Sequence, residues 1–334
     1  MVDIAHTGVD DAPISGARAD FHRTLSDLST ASVERNFDPY RDIAWDSPEL
    51  AIDERDPRWV LHPELDYIGR SPWYQAQPLE RRIAMGIWRQ ANLVKAGLQF
   101  EQVLIAALMQ YSFVQRNGSP EFRYATHEAR EECNHTLMFQ EFVNRTGQKV
   151  PGAPRWFRAV MPRLTRAAVW APPGFFVGVL GGEEPIDHMQ KHQLRAAETQ
   201  HPAMTAIIAI HVAEEARHIS FAHQLLEYQV PRMSRVQRGI LSVVTPLVMW
   251  SLNNVIMVPP KQFWETFDVP AEVRKEIFWR DPATRRMRAE VFGDVRALAE
   301  RIGLMNPVSR RVWSALGISG RPSRFRGEPQ YEAI

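Results

Sequence analysis

The 334-residue sequence predicts an all-α protein built on a four-helix bundle, and two observations carry that prediction. The word Glu-x-x-His occurs twice, as Glu132-Cys133-Asn134-His135 and as Glu215-Ala216-Arg217-His218. A glutamate stands 31 residues before each word: Glu101 before Glu132, and Glu184 before Glu215. On a helix, residues three apart share a face, so each word turns a carboxylate and an imidazole the same way. A span of 31 residues fits one long helix, a short turn and part of the next antiparallel helix. Two such hairpins make a bundle, and paired Glu-x-x-His helices with a further Glu from each of two others mark a carboxylate-bridged dinuclear metal site.

Composition sets the outer bounds. A 45% hydrophobic chain of this length can bury a sizeable core. Net charge is +1 with both signs scattered, and no basic block argues for nucleic acid. The single cysteine, Cys133, has no internal disulfide partner, which fits a reducing cytoplasm. The N-terminal segment lacks a basic region followed by an apolar run, so no secretory signal is read. The most apolar stretch, 239–258, is interrupted by Ser242, Thr245, Pro246, Ser251, Asn253 and Asn254. It reads as a buried, kinked helix rather than a membrane span.

In chain order, residues 1–35 are polar and expected to be disordered or loosely docked. Residues 36–77 are rich in Pro, Asp and aromatics (Trp45, Trp59, Tyr67, Trp73 and Tyr74) and are expected to form an extended arm packed on the body. A single helical domain follows over 78–319, with the bundle core at 78–230 and further helices near 232–257, 271–280, 283–303 and 307–316. Residues 320–334 read as a flexible, Arg-rich tail.

Within the core, the first helix carries an apolar stripe through Ile87, Val94, Leu98, Ile105 and Leu108, and Glu101 sits inside it. A carboxylate on such a stripe must be paired, protonated or metal-bound. Asn117-Gly118-Ser119-Pro120 is a turn, with Ser119 as N-cap and Pro120 opening the second helix, which stops at Gly147. One face of that helix reads Ala125, Glu128, Glu132, His135, Phe139, Phe142. Glu128, one turn from Glu132, is read as an outer or surface residue. Pro172-Pro173 opens the third helix, which contains Gly181-Gly182-Glu183-Glu184-Pro185 and is expected to kink at Pro185. Equal spacing favours Glu184 over its neighbour Glu183 as the inward carboxylate. The fourth helix has the face Met204, Ile208, His211, Glu215, His218, Ala222, Leu225. His211 aligns with the Glu-x-x-His one turn on, so three metal-capable side chains share an otherwise apolar stripe.

The candidate metal set is therefore Glu101, Glu132, His135, Glu184, His211, Glu215 and His218, with Glu183 and Glu128 as alternatives. Oxygen and nitrogen donors without thiolate suit iron, with manganese the alternative. Four ionised carboxylates balance two divalent ions, which makes burial tolerable.

These residues, with the phrases EEPIDH (183–188) and HVAEEARHISFA (211–222), resemble the p-aminobenzoate N-oxygenase (AurF-like) diiron family. The resemblance spans roughly 80–260, and the third histidine, His211, is its distinguishing feature. It implies a ferritin-like bundle with two irons that uses O2 to oxidise an arylamine through hydroxylamine and nitroso stages, by way of a peroxo-type species. It also implies a homodimer. The chain has no Gly-rich dinucleotide fingerprint and no cysteine cluster, so electrons are expected from an external donor. Other diiron oxidations, hydroxylation or desaturation, and a non-enzymatic ferroxidase remain open at this level.

Overall fold

The computed structural model describes residues 16–328, and no strand occurs among them. Its helices of nine or more residues are α1 (Gly16–Glu34), α2 (Leu79–Phe113), α3 (Pro120–Thr146), α4 (Arg155–Leu164), α5 (Pro172–Arg195), α6 (Pro202–Gln229), α7 (Arg235–Met257), α8 (Pro282–Glu290), α9 (Gly293–Arg301) and α10 (Pro307–Ala315). Helices α2 and α3 pack as one hairpin and α5 and α6 as another; α3 lies against α6 and α2 against α5. The all-α, ferritin-like architecture follows from these four helices.

Local chemistry sets the hairpin ends. The Ser119 hydroxyl accepts from the Phe122 N–H at 3.1 Å, Pro120 opens α3, and Gly147 closes it at φ +65°. Helix α5 continues through Gly181, Gly182 and Pro185 without interruption. Proline removes only one backbone donor there, and packing against α6 and α7 holds the rest. Helix α7 caps with Ser234 and Gln237 in a capping box and also continues through a proline, Pro246. With the residues following it, α7 is long and apolar enough to cross a membrane, and just over half of its most apolar window is buried.

Apolar packing divides the bundle into two layers. One contains Val94, Leu98, Phe139, Phe142, Ile207 and Ile208. The other contains Leu104, Leu108, Tyr124, Ala125, Phe221 and Leu225. Along α2, α3 and α6 the residues between the two layers are Glu101, Glu132 with His135, and His211 with Glu215 and His218. The polar slab is thus closed above and below by hydrocarbon.

The segments flanking the bundle differ from the sequence-based expectation. Residues 16–34, expected to be disordered, form α1, which packs on α3 and α6 through Phe21 and Leu25. A polar helix holds because two cations reach its end: Arg130 donates to the Ser32 carbonyl (3.0 Å) and Arg217 to that of Arg35 (3.3 Å). The expected disorder of residues 1–15 lies outside the described residues. In 36–77, Trp45, Trp59, Tyr67 and Tyr74 are buried against the body. There, the Tyr74 hydroxyl accepts from Leu61 N–H and donates to the Arg82 carbonyl, both at 2.9 Å. Residues 320–328, expected to be flexible, are tied down: buried Arg296 donates to the Arg321 carbonyl (2.9 Å), and Gly327 N–H to Asp294 (2.7 Å). The remainder of that expected tail, 329–334, lies outside the described residues. The expected helix over 283–303 is broken at residues 291–292 into α8 and α9.

The arm meets α2 at Gly86, where a Cβ would lie 1.8 Å from the Trp59 carbonyl oxygen. Gly86→Ala must push backbone from backbone, and we expect a loss of about 1–3 kcal/mol in urea unfolding. An unchanged midpoint would show that the arm does not depend on this close approach.

Candidate metal centre

Each bundle helix contributes to the slab. Helix α2 places Glu101; α3 places Glu128, Glu131, Glu132 and His135; α5 places Glu183; α6 places His211, Glu214, Glu215 and His218. All are buried. Two groups of four offer ligand atoms within 4.8 Å of one another: Glu101, His135, His211 and Glu215, and Glu132, His135, Glu215 and His218. His135 and Glu215 belong to both, so the two groups, each of which could hold a metal ion, adjoin at these side chains.

Every histidine uses one ring nitrogen outward and one inward. His135 Nε2 is 2.9 Å from Glu214, and its Nδ1 faces Glu132 (3.2 Å) and Glu215 (3.6 Å). His218 Nε2 is 2.8 Å from Glu131, and its Nδ1 faces Glu132 (2.7 Å) and Glu215 (3.5 Å). His211 Nδ1 is 2.8 Å from the Gln190 side-chain oxygen, and its Nε2 faces Glu215 (3.3 Å) and Glu101 (3.4 Å). An ionised carboxylate or an amide oxygen can only accept, so the outer nitrogen carries the hydrogen. The inner nitrogen points into the cluster, where it would give its lone pair to a bound metal ion, the arrangement a metal-ligating histidine adopts.

The outer carboxylates are swapped between helices. Glu131 on α3 anchors His218 on α6, and Glu214 on α6 anchors His135 on α3. Arg217 joins them, 3.0 Å from Glu131 and 3.5 Å from Glu214. Each anchor immediately precedes an inner carboxylate, so the full word is Glu-Glu-x-x-His in both copies. The sequence reading gave no role to Glu131, Glu214, Arg217 or Gln190; the doubled glutamate before each x-x-His was the available signal for Glu131 and Glu214.

Hydrogen bonds join His135 Nδ1 to Glu132 and His211 Nε2 to Glu101, but several other inner atoms have none. His218 Nδ1 and Glu132 Oε1 lie 2.7 Å apart, yet neither has a hydrogen-bond partner. Both oxygens of Glu215 and both of Glu183 are buried without partners. Burial pushes Glu101, Glu183 and Glu128 well above the usual carboxylate range; neighbouring carboxylates add to this for Glu101 and Glu183. Burial opposes ionisation of Glu132 too, but His218 and His135 outweigh it and hold that carboxyl well below the range. Burial likewise opposes charging of His135, but Glu132 outweighs it and pushes the imidazole up to about 10, while burial lowers His211 to about 4. Such opposed shifts mark a cluster whose carboxylates require positive charge from another source. The oxygen and nitrogen donor set fits two divalent transition-metal ions of the iron or manganese kind.

Glu184 is the residue the structure does not bring into the cluster. It is 2.6 Å from His223 Nε2, and it borders a separate cleft beside Asp187 and His188. Its neighbour Glu183 faces Glu215, Glu132 and Glu128 instead. The reason is helix register. Glu101 stands 12 residues before the end of α2, and Glu183, not Glu184, stands 12 before the end of α5. Equal spacing along the chain hid a one-residue difference in where α6 begins relative to its Glu-x-x-His. Glu128 is buried with both oxygens unpartnered, rather than at the surface. Cys133, between the ligands in sequence, is exposed.

Beside Glu101, Glu183 and His211 lies a cavity of about 400 Å³, lined otherwise by apolar side chains of α2, α4, α5 and α7 and by Ser251.

The family model for p-aminobenzoate N-oxygenase AurF matches residues 18–303. An uncharacterized protein of Mycobacterium tuberculosis (strain H37Rv) is 55% identical over 316 residues, covering 95% of this chain and 93% of its own. An uncharacterized protein of Mycobacterium bovis shows the same identity and coverage. No solved structure matches the chain.

Two outcomes are expected from metal analysis of purified variants. Glu183→Ala should lose bound iron, whereas Glu184→Ala should retain it; the reverse pattern would return the inward role to Glu184. Glu131→Ala and Glu214→Ala should each weaken metal affinity by about 10–100-fold, read by chelator competition. Unchanged affinity in both would reduce the swapped pairs to packing.

Proposed function

The chain belongs to the p-aminobenzoate N-oxygenase AurF family, and from that premise we propose that it is an O2-dependent diiron oxygenase acting on the nitrogen of an amine, an arylamine by preference. The observation that supports this most is the triple anchoring of His135, His211 and His218, each with its inner ring nitrogen turned toward the inner carboxylates. Glu101, Glu132, Glu183, Glu215 and the three histidines would hold two iron ions. When bound, that pair supplies O2 activation at a neutral, buried centre.

The protein residues do the rest. The apolar layers exclude water from the slab. The cavity would hold the amine with its nitrogen toward Glu101, Glu183 and His211. Glu128, raised by burial, keeps a proton one turn from Glu132. In overall balance, an amine R–NH2, O2, two electrons and two protons give R–NHOH and water; further oxidation leads to nitroso and nitro products. On this reading the protein is a cytoplasmic homodimer that takes its electrons from an external donor.

The apolar cavity lends weight to a second reading on the same centre, oxygen insertion into a C–H bond. Product analysis separates the two.

Protein expressed with ample iron should contain about two irons per chain, as a four-helix carboxylate bundle requires. It should convert an arylamine to its hydroxylamine only with O2 and a reductant. Carbon-hydroxylated product with the nitrogen untouched would favour the second reading, and iron-free protein after anaerobic ferrous loading would sink both.

A further inference from the structure

We infer that the substrate is an electrically neutral, largely apolar molecule with no carboxylate of its own. This rests on the oxygenase reading and specifies its substrate class. The observation is the lining of the 400 Å³ cavity that ends at Glu101, Glu183 and His211. Its size suits a small organic ligand. Among the described residues no Lys or Arg lines it; apart from the three residues of the centre, the polar groups there are the Ser251 hydroxyl and the Trp156 indole.

A carboxylate placed in that cavity would be buried in hydrocarbon without a cation, which is strongly unfavourable. The centre does not compensate. Four inner carboxylates cancel two divalent ions, and beyond them Glu131 and Glu214 are met by Arg217 and, at 3.8 Å from Glu131, by Arg130. No net positive charge is left over to hold a substrate anion. Trp156 and Leu164 of α4 are half-exposed and line the cavity, whereas Arg155 and Arg158 of the same helix border a different cleft.

The cavity is built into the fold. Gly174, Gly178 and Gly182 recur every fourth residue along α5, and all three line it. A Cβ on Gly178 would meet nothing within 4 Å. The stripe therefore leaves room that ordinary helix residues would fill. At its inner end Glu183, 8% exposed, turns two unpartnered oxygens toward the centre. Neutrality also suits the chemistry, since oxygen transfer needs a free lone pair on nitrogen. An arylamine offers one at neutral pH, whereas an alkylamine is protonated.

The test is equilibrium binding to the iron-loaded protein, without O2 or reductant, so that it reads recognition and not turnover. The probes are 4-butylaniline and 4-aminobenzoate, which differ in an apolar chain against a carboxylate. The neutral probe should bind at least tenfold more tightly. Gly178→Phe, which fills the cavity from the α5 side, should weaken 4-butylaniline by at least tenfold while iron content stays at the wild-type level. Val248→Phe, from α7, serves the same purpose should the first variant lose iron. Equal or tighter binding of 4-aminobenzoate overturns the inference, as does saturable binding of neither probe, or undiminished binding in an iron-replete cavity-filling variant. Any of those results leaves the diiron oxygenase reading to stand or fall on iron content and O2-dependent turnover.

Discussion

Seven glutamates buried in the core of one helical bundle are the constraint on which the rest of this structure depends. Glu101, Glu128, Glu131, Glu132, Glu183, Glu214 and Glu215 all lie in the slab between the two apolar layers. Uncompensated, such a group would oppose folding. The chain resolves the problem by sorting the carboxylates. Glu131 and Glu214 take hydrogens from His218 and His135 and share Arg217. Glu128 is neutralised by burial. The remaining four face inward with the imidazoles, where two divalent ions would balance them. The anchors are exchanged between α3 and α6, so the same contacts that orient the ligands also join the two hairpins.

The outer parts of the molecule serve that slab. Arg217 reaches the end of α1 through the Arg35 carbonyl, and Arg130, beside Glu131, reaches it through Ser32. The N-terminal helix therefore closes the outer side of the anchoring network. On the neighbouring flank, Asn134 donates to the Phe37 carbonyl (2.9 Å), so the arm is pinned to the helix that carries Glu132 and His135.

Much of this was legible from residue spacing. Three-residue periodicity shows Glu132 with His135, and Glu215 with His218, on single faces, and the four-residue step adds His211. Long apolar stripes placed those faces inward. The choice between Glu183 and Glu184 was not legible, because it depends on where each helix begins and ends relative to its ligand, and chain spacing sums over both. Helix α1 was hidden for a different reason. It buries few apolar residues, Phe21 and Leu25 chief among them, together with Ser29 and Ser32, and its stability comes from contacts that exist only once α3 and α6 are assembled. The outer anchors were half visible: a doubled glutamate before each x-x-His is plain in the sequence, but only the fold shows that each serves the opposite helix. The Gly174, Gly178, Gly182 stripe reads on its own as weak helix, and acquires meaning only with α4 and α7 standing back from it.

The three histidines are not equivalent, and their difference gives the centre a direction. A carboxylate that accepts from the outer nitrogen makes an imidazole more basic; an amide oxygen does so less. His135 and His218 are shifted upward, first by the inner Glu132 and with their carboxylate anchors adding to it, whereas His211 leans on neutral Gln190 and is shifted down to about 4, chiefly by burial. His211 is also the histidine that lines the large cavity, together with Glu101 and Glu183. The strongly anchored residues thus lie on the side sealed by Arg217 and α1, and the less polarised donor lies on the side open to a ligand. A centre so arranged is rigid where the helices must be held together and accessible where chemistry has to reach it. The outer partner of each imidazole adds to both properties, alongside burial and the placing of Glu132.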